Sequence, residues 1–232
     1  MAKNINQANS KLNASNSKLK QAYSKSHSKN MKVIYMPHWL EFYSNSLHSE
    51  VNSTHKRYYK AYKKGAIVYA RLGSNIGSEF SGNHFCVVID NYDNRGKETI
   101  TIVPLSSKKN SNYLKLSTTI LDLTAADLLE QFANCIEKYS DLKINFETDS
   151  DKTNEEEEKQ KKKISNKLSE LNAAIKVYSK HIGKDTYANV SAISTISKKR
   201  LSKINNSDPT GKISLPQRDI DKIQKEIKLK FL

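Results

Sequence analysis

The chain carries a dense group of basic side chains that could bind an anion. Four cationic residues fall between positions 198 and 203: Lys198, Lys199, Arg200 and Lys203. Ammonium and guanidinium groups at this density bind phosphates and displace the counterions of a nucleic acid. A solvated start of a helix would show the same pattern, so both interpretations are open at this point.

Histidine and cysteine do not have the spacing of a metal site. Five histidines stand apart from one another: His27, His38, His48, His55 and His181. Cys86 lies inside an apolar run and Cys135 on a predicted helix, which suits two buried thiols better than a disulfide framework or a zinc site. We therefore expect no metal, no cofactor and a reducing, cytoplasmic environment.

Composition indicates a compact core with polar appendages. Of 232 residues, 37% are hydrophobic, which is low for one large core. Lysine and arginine number 39 against 24 acidic residues, a formal net charge of +15. This excess suggests nucleic acid as a partner. On charge alone, a role in solubility has equal weight. No apolar run has the length of a membrane span or a signal peptide, so we expect a soluble protein with no membrane partner.

The elements that position these residues begin with two segments of low apolar content. Residues 1–30 contain six lysines and no acidic residue, which predicts a disordered basic tail. Residues 31–62 are predicted to be an N-terminal helical segment, with Pro37 in a first turn.

Short β-prone runs then follow, separated by turn residues. Three of them span 66–70, 85–89 and 99–103, and shorter strands are predicted at 113–116 and 187–190. Strand and turn alternate, which predicts a small antiparallel sheet or barrel.

Between the last two of these strands, residues 123–184 are predicted to form an inserted helical hairpin. Thr124 and Asp127 have the spacing of a capping box at its start, the acidic stretch 147–158 is predicted as its loop, and Gly183 as its end. The buried face of its first helix would comprise Leu128, Phe132, Cys135 and Tyr139. A heptad stripe marks its second helix at Ile164, Leu168, Leu171, Ile175, Tyr178 and Ile182. A final helix after Pro216 has its apolar stripe at Ile220, Ile223, Ile227 and Phe231.

Three segments carry a resemblance to a known family. Residues 65–72 are followed by the turn Gly77-Ser78-Glu79; residues 103–108 read Val-Pro-Leu-Ser-Ser-Lys; and residues 190–201 contain Ile-Ser-Thr-Ile-Ser-Lys-Lys-Arg-Leu. In this order they resemble PemK/MazF-type toxins of type II toxin-antitoxin systems. The resemblance implies an α+β fold in which 63–122 and 185–232 form a small SH3-like antiparallel β-barrel of the CcdB/PemK kind with a C-terminal helix.

The resemblance also implies an activity. Members of the family cleave single-stranded RNA without metal, by attack of a ribose 2′-hydroxyl on the adjacent phosphorus. This reaction needs a base, an acid and positive charge or hydrogen-bond donors at the phosphorane. The expected partners are single-stranded RNA, a cognate antitoxin protein and a second copy of the chain, in a homodimer.

The family's catalytic positions can be placed in this sequence. Ser106 stands where a Thr or Ser closes the strand, and His84 stands where an Arg is expected. Glu79 of the turn is a secondary catalytic candidate. The RNA-binding residues are expected to be Lys108, Lys109, Lys198 and Arg200.

The histidine leaves two outcomes open. Arginine offers a permanent charge and a bidentate fork, whereas histidine titrates near neutrality. His84 could act as general acid or base while Lys108 or Lys109 supplies the charge. Alternatively, the protein is a catalytically altered relative that binds nucleic acid or protein. Ala192 and Ser194 replace the family's Gln and Arg, so cleavage specificity does not carry over.

Overall fold

The computed structural model describes residues 4–26, 30–53, 58–148 and 154–232. These residues contain five α-helices and seven β-strands, which confirms the mixed α+β class. The chain divides into two units, one made of residues 1–56 with 71–83 and the other of residues 57–70 with 84–232. Within the described ranges, no helix combines the length and apolar character needed to cross a membrane.

The first unit begins with a helix where the sequence predicts a disordered tail. Helix α1 spans Ile5–Ser26, and the side chain of Asn4 accepts a hydrogen bond from the Gln7 backbone at 3.2 Å. The segment contains neither glycine nor proline, so nothing in it breaks a helix once this N-terminal cap is in place. Residues 1–3 and 27–29 of the predicted tail lie outside the described residues.

Helix α2, Met31–Asn52, contains Pro37 in its interior and not in its first turn as predicted. Its polar and aromatic side chains pack on the segment 71–83 of the same unit. The guanidinium carbon of Arg71 lies 4.6 Å from the Phe42 ring centroid, and Lys32 Nζ donates to the Asn75 carbonyl at 3.1 Å. Gly73 has φ +94°, and a Cβ there would lie 2.9 Å from the Trp39 ring, so glycine is required for this contact.

The second unit is built on an antiparallel sheet. Its strands are β1 Ile67–Gly73, β2 Gly82–Val88, β3 Thr99–Ser106, β4 Leu114–Lys115, β5 Tyr187–Ala188, β6 Ser194–Ser197 and β7 Leu201–Ser202. Their order is β4-β5-β3-β2-β1-β7, and β6 pairs with β3. All five predicted strands are present. Closure of this sheet into an SH3-like barrel stays a prediction.

The side chains of the sheet divide between its two faces. Alternate side chains of β2 and β3, among them Phe85, Val87, Val103 and Leu105, join the main hydrophobic cluster with the helices. The residues between them point to the opposite face because side chains alternate along a strand. His84 and Ser106 therefore lie on the face turned away from the helices.

The helical hairpin is present, with boundaries that differ from the predicted ones. Helix α3, Ile120–Thr148, begins before Thr124, because the reciprocal capping bonds join Thr119 and Asp122 at 3.0 and 3.1 Å. The Thr124 hydroxyl instead donates to the Ile120 carbonyl inside the helix. Helix α4 spans Asn154–Tyr178, so residues 147–148 and 154–158 of the predicted acidic loop are helical, and its residues 149–153 lie outside the described ranges.

The hairpin and the last helix bury part of their predicted apolar stripes in the same cluster, whereas Ile175, Ile182 and Phe231 are exposed. Leu128 and Cys135 of α3 meet Leu171 of α4 there, whereas Phe132 and Tyr139 of the predicted stripe are 42% and 51% exposed. Helix α5, Gln217–Phe231, confirms the predicted C-terminal helix. Hydrogen bonds of Asp219 hold its first turn against residue Ser117. The fully buried Asp219 carboxylate accepts them from the backbone and the hydroxyl of Ser117.

Candidate functional site

His84 and Ser106 occupy facing positions on neighbouring strands. In the pairing of β2 with β3, Cys86 faces Pro104, and Val88 faces Ile102. The same register, continued two residues beyond Cys86, sets His84 opposite Ser106. Directly opposed residues of an antiparallel pair have Cβ atoms about 5 Å apart. Both side chains are half-buried, so this register brings together an imidazole and a hydroxyl that are 22 residues apart in sequence.

The row continues across two further strands. Ser106 pairs with Tyr187 of β5, and Tyr187 pairs with Lys115 of β4. Because opposed residues share a face, the four side chains His84, Ser106, Tyr187 and Lys115 form one line across the sheet. We call this line the polar row.

Asp185 organises one end of the polar row. Its carboxylate accepts a hydrogen bond from Lys115 Nζ at 2.7 Å and from the Tyr187 hydroxyl at 3.2 Å. The hydrogen bond from Lys115 is the main cause that lowers the pKa of Asp185. The carboxylate is therefore ionised at neutral pH and holds both donors beside Ser106.

Positive charge follows directly after Ser106 in the chain. The Ser106 hydroxyl accepts a hydrogen bond from the Lys108 backbone at 3.0 Å, which turns the chain at the end of β3. Lys108 and Lys109 are exposed at this turn. Lys109 also contributes to the lowered pKa of Asp185, so its ammonium lies within electrostatic reach of the polar row.

The other two predicted RNA-binding residues have different surroundings. Lys198 is 4% exposed, and its ammonium forms an ion pair with Asp93 at 2.6 Å and donates to the carbonyls of Lys60 and Asn94. This placement does not suit a phosphate contact at the surface. Arg200 is half-buried, and burial lowers its pKa, while the nearby Cys86 thiol has the opposite, smaller effect.

Glu79 lies in the first unit, unlike the other predicted site residues. Its backbone closes a tight turn, since its N–H donates to the Ile76 carbonyl at 3.2 Å and its carbonyl accepts from the Ser81 hydroxyl at 3.1 Å. The residue is exposed.

Phe85, the neighbour of His84, packs against a histidine whose ionisation should affect folding. His181 lies edge-on to the Phe85 ring at 5.5 Å, and burial lowers its pKa below 6.5, with Lys184 and Lys180 adding to the effect. The unfolded chain then takes up this proton at a higher pH than the folded chain. The stability contributed by neutral His181 is present above pH 6.5 and is lost as the pH falls.

We expect the free energy of unfolding of the native protein to fall more steeply from about pH 7 to pH 5 than that of His181→Gln. Urea unfolding at several pH values measures the two slopes. His48→Gln, a change at an exposed position of α2, is the matched control and should keep the native slope. Equal slopes for native protein and His181→Gln would contradict the prediction.

A stretch of the chain that includes residues of both units matches a known protein family. Residues 63–133 match the model of a family described as PemK-like, MazF-like toxin of type II toxin-antitoxin system. The matched range contains Glu79, His84, Ser106, Lys108 and Lys109 and ends within α3, so Tyr187 and the third motif lie outside it. No curated protein matches the chain.

Proposed function

We propose that this chain is a toxin of a type II toxin-antitoxin system and cleaves single-stranded RNA without metal, because residues 63–133 match the model of the PemK-like, MazF-like toxin family. The observation that supports the proposal is the pairing of β2 with β3, whose register, when continued beyond Cys86 and Pro104, sets His84 opposite Ser106. It pairs a group able to move a proton near neutral pH with a hydroxyl donor for a phosphoryl oxygen.

In the proposed reaction, the scissile phosphate of the RNA would lie beside the Ser106 hydroxyl. The ribose 2′-oxygen attacks phosphorus while His84 takes its proton, and the bond from phosphorus to the 5′ oxygen breaks. The products are a cyclic phosphate and a 5′-hydroxyl. The leaving 5′ oxygen takes its proton from the Tyr187 hydroxyl or the Lys115 ammonium, which lie on the other side of Ser106, so that base and acid act from opposite sides of an in-line displacement.

Charge stabilisation would come from several residues in place of one arginine. The Ser106 hydroxyl donates to a non-bridging oxygen, and Lys108 and Lys109 place their ammonium groups near the developing negative charge. Arg200, which lies within electrostatic reach of Cys86, adds a permanent cation. Glu79 is retained as a secondary catalytic candidate on the strength of the family resemblance.

The proposed partners follow from charge and family. A formal charge of +15 attracts both RNA and an acidic segment of a protein. We infer that a cognate antitoxin covers the polar row with such a segment, that the toxin is a homodimer, and that it acts in the cytoplasm.

The direct test is cleavage of an unstructured RNA by purified protein in the presence of EDTA. We expect products with 5′-hydroxyl ends, detected by their ready phosphorylation with a polynucleotide kinase, and intact RNA in a parallel reaction with His84→Ala. RNA that stays intact at a high excess of native protein would overturn the proposal. If that RNA is nevertheless retained in a gel-shift assay, the chain is a binding module, as the replacement of the family's arginine by His84 would allow.

A further inference from the structure

A cavity lies beside the part of the sheet where β1 pairs with β7, away from the strands β4 and β5 of the polar row. It has a volume of about 240 Å³ and is lined by residues from three segments of the second unit. Its polar lining consists of Lys60, Tyr62, Tyr69, Ser202, Lys203 and Thr210. The proposed cleavage reaction uses none of these side chains.

The cavity concentrates positive charge that has no carboxylate partner. Burial lowers the pKa of Lys60, and the ammonium groups of Lys203 and Lys212 lower it further. Within the described ranges, none of these three lysines forms an ion pair. Neighbouring cations that repel one another are stabilised by an anion bound between them.

One wall of the cavity is held in place by the backbone around Gly211. The Gly211 N–H donates to the Ile67 carbonyl at 2.6 Å, and Lys60 Nζ donates to the Gly211 carbonyl at 2.7 Å. Gly211 has φ +75°, and a Cβ there would lie 2.8 Å from the Tyr62 ring, so only glycine lets the loop approach this ring. The cationic wall is therefore formed before any ligand arrives.

Thr210, one of the residues that line the cavity, carries a buried hydroxyl with no hydrogen-bond partner among the described residues. Thr210 is 2% exposed, and its hydroxyl forms no hydrogen bond with the described residues. A buried polar group in this state destabilises the fold, and a bound oxygen is expected beside it. Its backbone N–H is already committed to Asp208 at 2.9 Å, so the hydroxyl is the group left for a ligand.

We propose that this cavity binds the phosphate group of a nucleotide. Lys60 and Lys203 contact the phosphate oxygens, Thr210 donates to one of them, and the Tyr62 and Tyr69 rings contact the sugar or base. Oxyanion binding explains lysines that form no ion pair with the described residues, and the aromatic walls favour a nucleotide over inorganic phosphate. The phosphate can belong to a free mononucleotide or to a nucleotide within RNA. The proposal does not depend on RNA cleavage.

Calorimetric titration of the full chain tests this inference with three probes: inorganic phosphate, a nucleoside monophosphate, and a short 2′-O-methyl RNA that cannot be cleaved. We expect the monophosphate to bind more tightly than inorganic phosphate. Lys203→Gln should weaken monophosphate binding about tenfold, and Thr210→Val about threefold, since each removes one donor to a charged group. Tighter binding of the RNA identifies chain phosphates as the source, and tighter binding of the monophosphate identifies a free nucleotide.

Two controls separate this cavity from the polar row. Lys225→Gln makes the same charge change at an exposed position of α5 and should leave the affinity unchanged. His84→Ala should also bind the monophosphate as the native protein does. Loss of binding in His84→Ala would place the phosphate at the polar row and overturn the inference. No binding of any probe, or equal weakening by Lys203→Gln and Lys225→Gln, would also overturn it. Circular dichroism melting confirms that each variant is folded.

Discussion

Replacing His84 with alanine is expected to slow RNA cleavage by about 10²- to 10⁴-fold, the usual contribution of a positioned general acid or base. Alanine leaves the strand intact but removes the group that takes the 2′-hydroxyl proton. The measurement is the single-turnover cleavage rate of a labelled RNA in EDTA. Ser106→Ala should lower the same rate by about tenfold or more, because one donor to the phosphoryl oxygen is lost.

A matched variant shows which property of residue 84 matters. His84→Arg restores the residue type that the family carries at this position, and it should cleave RNA without the pH dependence between about 5 and 8 that a histidine brings. A His84→Ala protein that cleaves at the native rate would remove His84 from the mechanism. A native protein that is inactive while His84→Arg cleaves would identify the natural histidine as an inactivating replacement.

Lys198→Met is expected to lower the free energy of unfolding by about 3–5 kcal/mol, the effect of breaking a buried ion pair by removing one partner. The side chains of Lys198 and Asp93 are 1% and 0% exposed. Without the ammonium, the Asp93 carboxylate remains buried without its cation. From the part of the chain that the structure describes, it keeps the hydrogen bond from the Tyr62 backbone at 2.8 Å and that from the Asn94 backbone at 2.9 Å. Urea unfolding followed by circular dichroism gives the free energy.

The double variant Asp93→Asn with Lys198→Met isolates the pair. It should be less destabilised than the sum of the two single variants, because neither then leaves a lone buried charge. Lys225→Met, at an exposed site on α5, should change the free energy of unfolding by less than about 0.5 kcal/mol. If Lys198→Met unfolds like this control but binds RNA more weakly, Lys198 is a phosphate ligand after all.

Local sequence patterns located most of the secondary structure and left its boundaries ambiguous. The capping box predicted at Thr124 and Asp127 does not start α3, because Thr119 and Asp122 form the capping hydrogen bonds. At this start the Ile120 N–H donates to the Thr186 hydroxyl at 3.0 Å in the buried interior. A partner 66 residues away decides this start, and no local pattern contains that information.

The candidate site was found in part from sequence. His84 and Ser106 were identified because each lies beside a recognisable motif. Tyr187 and Lys115 were not, since strands β4 and β5 are two residues long each and carry no periodic signal of their own. Their place in the polar row follows from cross-strand pairing.

The amino-acid sequence by itself determined the α+β class, the family resemblance and the positive charge, because strand and helix periodicity, short motifs and composition are all local properties. Only the tertiary structure decided what each basic residue does. Lys198 and Lys203 stand in one basic cluster in the sequence. In the folded chain, Lys198 is buried against Asp93, while Lys203 lines a cavity without an ion pair among the described residues. The two residues of a buried ion pair can lie far apart in sequence and meet only in the folded chain. The density of charge in the sequence therefore could not distinguish a structural lysine from one able to bind a ligand.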